Sequence, residues 1–173
     1  MKDKKIRLKF PPKVSFLDYP DPEKHCVSIY TVGCNHYCAD CCNPQLQKDD
    51  KEGEVIDYSL FEKELKDFCK RNKANSIVLL GGDCLYEKNI EFTKLFLKRN
   101  SKKYNICLYT GYEIDYVIQN KIEGFKYIKC GKYNIVQKQI SSKTDTEFIL
   151  ASKNQKLYNS NYQLLSKDGV YKF

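Results

Sequence analysis

His25-Cys-Val-Ser-Ile-Tyr-Thr-Val-Gly-Cys-Asn-His-Tyr-Cys-Ala-Asp-Cys-Cys42 joins two different kinds of sequence. Residues 25–32 place apolar Cys26, Ile29 and Val32 with Val27 and Tyr30 between them, the make-up of a buried strand. Gly33 ends the strand. A cysteine loop over residues 34–47 leaves directly from its C-terminal end.

Downstream, strands and helices alternate. Phe61, Leu65 and Phe68 recur at helical spacing and predict a helix over residues 57–72, with Ser59 and Glu62 as a capping box. Ser76-Ile-Val-Leu-Leu80 is a short apolar strand stopped by Gly81-Gly82. A second helix over 87–100 carries Phe92, Leu95, Phe96 and Arg99. Asn105–Thr110 is a third strand ended by Gly111. A short third helix, 112–120, has Ile114, Val117 and Ile118 apolar. Phe125–Cys130 is a fourth strand followed by Gly131. This order predicts an α/β fold with parallel strands and right-handed crossovers. The cysteine loop, Gly81-Gly82-Asp83, Thr110-Gly111 and Cys130-Gly131 all leave C-terminal strand ends, the rim where parallel sheets and barrels bind ligands.

Working outward, residues 1–24 hold Pro11, Pro12, Pro20 and Pro22 and read as an irregular lead-in; residues 25–173 read as a single domain. Asp49 to Gly53 is a charged connector, and residues 132–147 are polar and weakly patterned. The tail holds Glu147–Leu150, Asn161–Leu165 and Val170-Tyr171. Asp168-Gly169 between apolar runs signals a short C-terminal hairpin.

Composition narrows the class. The chain has 173 residues, 42% hydrophobic and 30% charged, as soluble globular domains do. No apolar run approaches the roughly 20 residues that span a bilayer, and Met1–Phe10 lacks the apolar core of a secretory signal. The expectation is a cytoplasmic protein with no membrane role. The net charge of +8 is spread along the chain, and no nucleic-acid-reading motif accompanies it, so no nucleic-acid partner is expected. Nine cysteines in a reducing compartment argue for metal ligation rather than disulfides, and four of them fall within residues 34–42.

Cys34, Cys38 and Cys41 have the spacing C-x3-C-x2-C. Three thiolates on one tight loop can grip three corners of a [4Fe–4S] cubane, leaving one iron open to a small molecule. A closed zinc site is the alternative; it needs four ligands, and a second cysteine knuckle is missing. His36, inside the loop, could complete such a site only in a cramped geometry. It reads instead as a polar loop residue. Cys42 points away from Cys41. Cys26, Cys69, Cys107 and Cys130 read as buried small hydrophobes, whereas Cys84 follows Gly81-Gly82-Asp83 on the rim and is a candidate neighbour of the site. The two glycines would let backbone approach a ligand closely, beside a carboxylate suited to an ammonium group.

Together these residues resemble the radical S-adenosylmethionine (SAM) superfamily. Within it they resemble the activating proteins of anaerobic (class III) ribonucleoside-triphosphate reductase. Thr31–Pro44, Leu80–Tyr86, Leu108-Tyr-Thr-Gly-Tyr112, and Ser152–Leu157 with Asp168-Gly-Val-Tyr171 carry the likeness. The resemblance implies a radical SAM core, a partial (β/α) barrel. It implies that Cys34, Cys38 and Cys41 hold the cluster, and that Asp40, Cys42, Gly81, Gly82 and Asp83 line the SAM pocket. It implies a reduced flavodoxin-like electron donor, and a glycyl radical raised on the reductase's large subunit. The chain departs from the family at Cys42 (usually Tyr), Cys84 (usually Pro), Cys130 (usually Asp) and Ala151 (usually Gly). Two alternatives stay open: a small-molecule radical SAM enzyme similar to 7-carboxy-7-deazaguanine synthase, against which Ser152-Lys-Asn-Gln155 argues, and a zinc-stabilised interaction module.

Overall fold

The computed structural model describes residues 5–22, 25–48 and 53–173. In chain order the elements are β1 (Lys5–Ser15), β2 (Cys26–Thr31), β3 (Glu54–Asp57), α1 (Tyr58–Arg71), β4 (Ser76–Gly81), α2 (Ile90–Asn100), β5 (Asn105–Tyr109), α3 (Ile114–Gln119), β6 (Tyr127–Cys130), β7 (Ser142–Lys143), β8 (Glu147–Ile149), β9 (Lys156–Asn159) and β10 (Val170–Lys172). The main sheet has the order β3-β1-β2-β4-β5-β6-β9. Its centre, β2-β4-β5-β6, is parallel, with α1, α2 and α3 in the crossovers. β1, β3 and β9 extend it antiparallel. The result is the expected α/β partial barrel, with a small antiparallel sheet β10-β8-β7 at its C-terminal side.

Successive strand residues face opposite sides, and here the two sides differ in chemistry. Val27, Ile29, Ile77, Leu79, Ile106, Leu108 and Ile128 point outward into the helices. α1 answers with Tyr58, Phe61, Leu65 and Cys69, three or four residues apart on one stripe, and α2 with Phe92, Phe96 and Leu97. Phe61 lies edge-on to Phe92, their centroids 5.7 Å apart. The inward face carries Cys26, Val78, Leu80, Cys107, Tyr127 and, on β9, Leu157, closed over by Tyr19, Phe148 and Leu150. Lys143 fastens this cover by donating to the carbonyls of Tyr19 (3.2 Å) and Asp21 (3.1 Å). Among the described residues no helix is long and apolar enough to cross a membrane.

Several local readings need correction. Residues 5–15 of the irregular lead-in form β1, paired with both β2 and β3. The ladder to β2 shifts register between Lys9 and Lys13, so Pro11 and Pro12 fall where no ladder hydrogen bond is required. Of the charged connector, residues 49–52 lie outside the described residues; β3 follows directly, because Val55 and Ile56 reach Arg7 and Ile6 across a ladder no local signal announces. Ser59 does not cap α1: the N-cap is Asp57, without a side-chain bond, and Ser59 sits inside the first turn. Asp168-Gly169 does make a tight turn, with Lys167 and Val170 exchanging both backbone hydrogen bonds at 2.8 and 2.9 Å. The strand leaving it, β10, pairs with β8 rather than with residues 161–165.

Candidate functional site

Four loops meet at the C-terminal ends of the parallel strands, around a cleft of about 830 Å³. That volume lies within the range of small-molecule and cofactor pockets. Cys34, Cys38, Cys41 and Cys42 line it, as do Asp40, Gly81, Gly82 and Asp83. The three spaced cysteines are partly exposed free thiols, and Cys42 is exposed. Among the described residues, no three His, Cys, Asp or Glu side chains converge on a point that could hold a single metal ion. Cys34, Cys38 and Cys41 lie along the lining of the cleft. Burial pushes the Cys34 thiol up to about 11. The His36 backbone N–H, 3.5 Å from its sulfur, and the Asn43 side chain, 3.4 Å from the Cys42 sulfur, are donors in the loop.

Asp83 ties the rim together. It is almost wholly buried, and its oxygens accept from five donor contacts. Oδ1 takes Leu85 N–H (2.7 Å) and the Thr110 hydroxyl (2.9 Å). Oδ2 takes Gly111 N–H (2.7 Å), the Thr110 hydroxyl (3.0 Å) and His36 Nε2 (2.7 Å). A carboxylate can only accept, so the shared proton sits on Nε2. His36 is thereby a buried strut from the cysteine loop to the second and third rim loops. Its ring meets Tyr112 edge-on at 4.5 Å. A Cβ on Gly111 would collide with that ring, which is the local reason for glycine after Thr110.

Gly81 and Gly82 both line the cleft, and their bareness also serves a close approach within the chain. A Cβ on Gly82 would fall 2.7 Å from the Leu46 carbonyl oxygen and against that of Gly33; one on Gly81 would fall 2.6 Å from Thr31 O. The neighbour that needs their bareness is the backbone of the cysteine loop and β2. Gly82 N–H donates to Thr31 O (2.8 Å) and Asp83 N–H to Gly33 O (2.9 Å), so the loops are stitched main chain to main chain.

The three cysteine departures separate here. Cys42 lines the cleft; Cys84 does not. Cys84 is buried in the outer core with its thiol 3.3 Å from Tyr109 O, and Cys130 is buried in the same core. Cys26, Cys69 and Cys107 are buried as expected. Asp40 adopts a positive φ of 56° and pairs with Lys138 at 3.2 Å, which draws the 132–147 segment onto the rim. Residue-by-residue reading missed His36 as a strut, and the cleft floor formed by Tyr30, Leu80, Tyr109 and Lys129. The floor had a signal: these residues alternate with the Ile/Leu positions that face the helices.

Residues 24–158 match the family described as a 4Fe-4S single cluster domain. The chain is 28% identical over 152 residues to the anaerobic ribonucleoside-triphosphate reductase-activating protein of Enterobacteria phage T4, a match covering 84% of this chain and 87% of that protein. With a cysteine loop on the ligand-binding rim of a parallel partial barrel, and a family match over most of its length, the chain belongs to the 4Fe-4S single cluster domain family, of radical SAM type.

Proposed function

We propose that this protein is a cytoplasmic activase that cleaves SAM at a [4Fe–4S] cluster and raises a glycyl radical on the large subunit of anaerobic ribonucleotide reductase. Cys34, Cys38 and Cys41 hold the cluster; their donor chemistry and placement around an open cleft support this. A cluster held by these three thiolates would supply the one-electron chemistry that cleaves SAM to methionine and a 5′-deoxyadenosyl radical, with a reduced flavodoxin-like protein as the electron donor and a backbone glycine of the reductase as the source of hydrogen.

The chain's own residues bind, orient and shield. Asp40, Cys42, Gly81 and Gly82 border the SAM site. Asp83 faces the same cleft with both oxygens engaged, so it receives the SAM amino group by exchanging one present donor. Tyr30, Leu80 and Tyr109 supply an apolar floor that keeps water from a reactive radical.

The observation that carries this reading is the convergence of the three thiols with the Gly81–Asp83 and Thr110–Gly111 turns on one cleft. The likeness to an activating protein supports the target. The test is anaerobic incubation with SAM, a strong reductant and an anaerobic reductase large subunit, followed by electron paramagnetic resonance. A glycyl-radical doublet is expected. SAM cleavage without that doublet would favour a small-molecule substrate, and stoichiometric zinc in a colourless protein would favour the interaction module.

A further inference from the structure

Lys129 is the cation on the cleft floor. In the parallel ladder Tyr30 stands opposite Leu80 on β2 and β4, and Tyr109 stands opposite Lys129 on β5 and β6. All four line the same cleft as Cys34, Cys38, Cys41 and Cys42, on neighbouring strands of the sheet. The Lys129 ammonium lies 5.0 Å from the centre of the Tyr109 ring. Among the described residues no carboxylate or carbonyl takes a hydrogen bond from it. Lys129 is half-buried, its side chain lining the cleft; a charge partly withdrawn from water without an ion-pair partner is still costly, and an aromatic face offsets only part of that cost. Burial pulls the Lys129 ammonium towards the neutral form, while Asp83, Cys42, Cys130 and Cys38 pull it back towards the charged form. Asp83 is already saturated and Cys130 faces the outer core. The thiols of the cysteine loop remain.

We infer that Lys129 is the electrostatic partner of the iron–sulfur cluster, a fixed cation in the cleft lined by the cysteine loop that favours the cluster's reduced form. The inference rests on the reading of Cys34, Cys38 and Cys41 as ligands. A cubane held by three thiolates is anionic, and taking up one electron from a low-potential donor makes it one unit more negative. No bond breaks and no proton is needed. A half-buried cation on the floor of the cleft lowers the energy of the more negative state by more than that of the less negative one. Local charge is among the factors that set cluster potentials. Lysine is not a residue the strand requires here: the alternating position on β5 is Tyr109, and on β4 it is Leu80.

The experiment uses wild type, Lys129→Met and Lys129→Arg, reconstituted anaerobically without SAM. Each is poised with mediators at the wild-type midpoint, and the reduced cluster is read by electron paramagnetic resonance. Methionine keeps the aliphatic stem over Tyr109 and removes the charge. Its reduced-to-oxidised ratio is expected to fall at least about threefold, roughly 30 mV for one electron. Arginine should stay within about twofold of wild type. The ratio is taken per loaded cluster, so incomplete loading of a variant does not blur it. An unchanged ratio in Lys129→Met overturns the inference. So does an unchanged ratio accompanied by a tenfold loss of SAM affinity, which would make Lys129 a partner of the ligand's carboxylate. If wild type itself takes up no reducible cluster, the functional reading fails first, and that result is distinct from either.

Discussion

The two faces of the parallel sheet share every backbone hydrogen bond and differ in almost everything else. Outward, β2, β4, β5 and β6 present Val, Ile and Leu to a helical layer whose centre is Phe61, Phe92 and Phe96. Inward, the same strands present Cys26, Ser28, Tyr30, Cys107, Tyr109, Tyr127 and Lys129. Three of the polar members are individually answered: Ser28 donates to Asp18 (2.6 Å), Tyr109 to the Asp18 carbonyl (2.7 Å) and Tyr127 to Asp21 (2.7 Å). The outer face is filled by apolar volume, and the inner face mixes apolar side chains with polar groups that need partners. Stability is concentrated on the first and chemistry on the second.

That contrast can be broken at its strongest point first. Replacing any one of Cys34, Cys38 or Cys41 with Ala should abolish SAM cleavage and lower the iron and sulfide content, read by chromatography of 5′-deoxyadenosine and by metal analysis, with the fold intact by circular dichroism. Full activity in one of them would remove the basis of the site.

Leu79 and Leu80 are neighbours on β4 that face opposite ways. Leu79→Ala should cost about 2–5 kcal/mol in urea unfolding, as fully buried leucines do, and leave SAM affinity unchanged. Leu80→Ala borders the cleft, where fewer atoms surround the side chain. It should fall at or below the low end of that range and weaken SAM binding. Equal costs with equal affinities would mean the faces are not specialised.

Asp83→Asn tests the rim knot. An amide in place of a carboxylate sets its own N–H groups against the donors of His36 or Gly111, and weakens bonds made to a charged acceptor. A loss of about 2–3 kcal/mol is expected, together with faster exchange of the Gly111 and Leu85 amide protons. Unchanged protection at those amides would show that the knot is not holding the loops. The smallest effect belongs to Cys69, buried on α1 far from the cleft. Cys69→Ala should cost about 1 kcal/mol, a small apolar side chain's worth, and keep SAM cleavage.

Some of this was readable directly. Strand–helix alternation and terminal glycines were enough for the parallel core, because periodicity and turn chemistry act within a few residues of one another. The cysteine spacing marked the loop, and the rim followed from which strand ends the unusual residues left. β1, β3 and β9 were not readable this way. Each is held by a partner distant in sequence: Lys5 opposite Asp57, Tyr127 opposite Asn159. Prolines made β1 resemble a loop, and only the register shift opposite β2 shows how they are accommodated. Cys84 misled for a related reason. Position along the chain put it on the rim, but the turn sends its side chain into the outer core.

Local order in the chain thus suffices for the element types, the parallel topology and the thiol loop, since these depend on contacts between near neighbours and on a spacing that folding cannot change. The His36–Asp83–Thr110 knot, the use of Gly82 to seat the cysteine loop against it, and the bringing of Lys129 to the cleft that the thiols line arise only when remote strands are brought side by side. Their energies come from distances between groups tens of residues apart, and those distances exist only in the packed molecule.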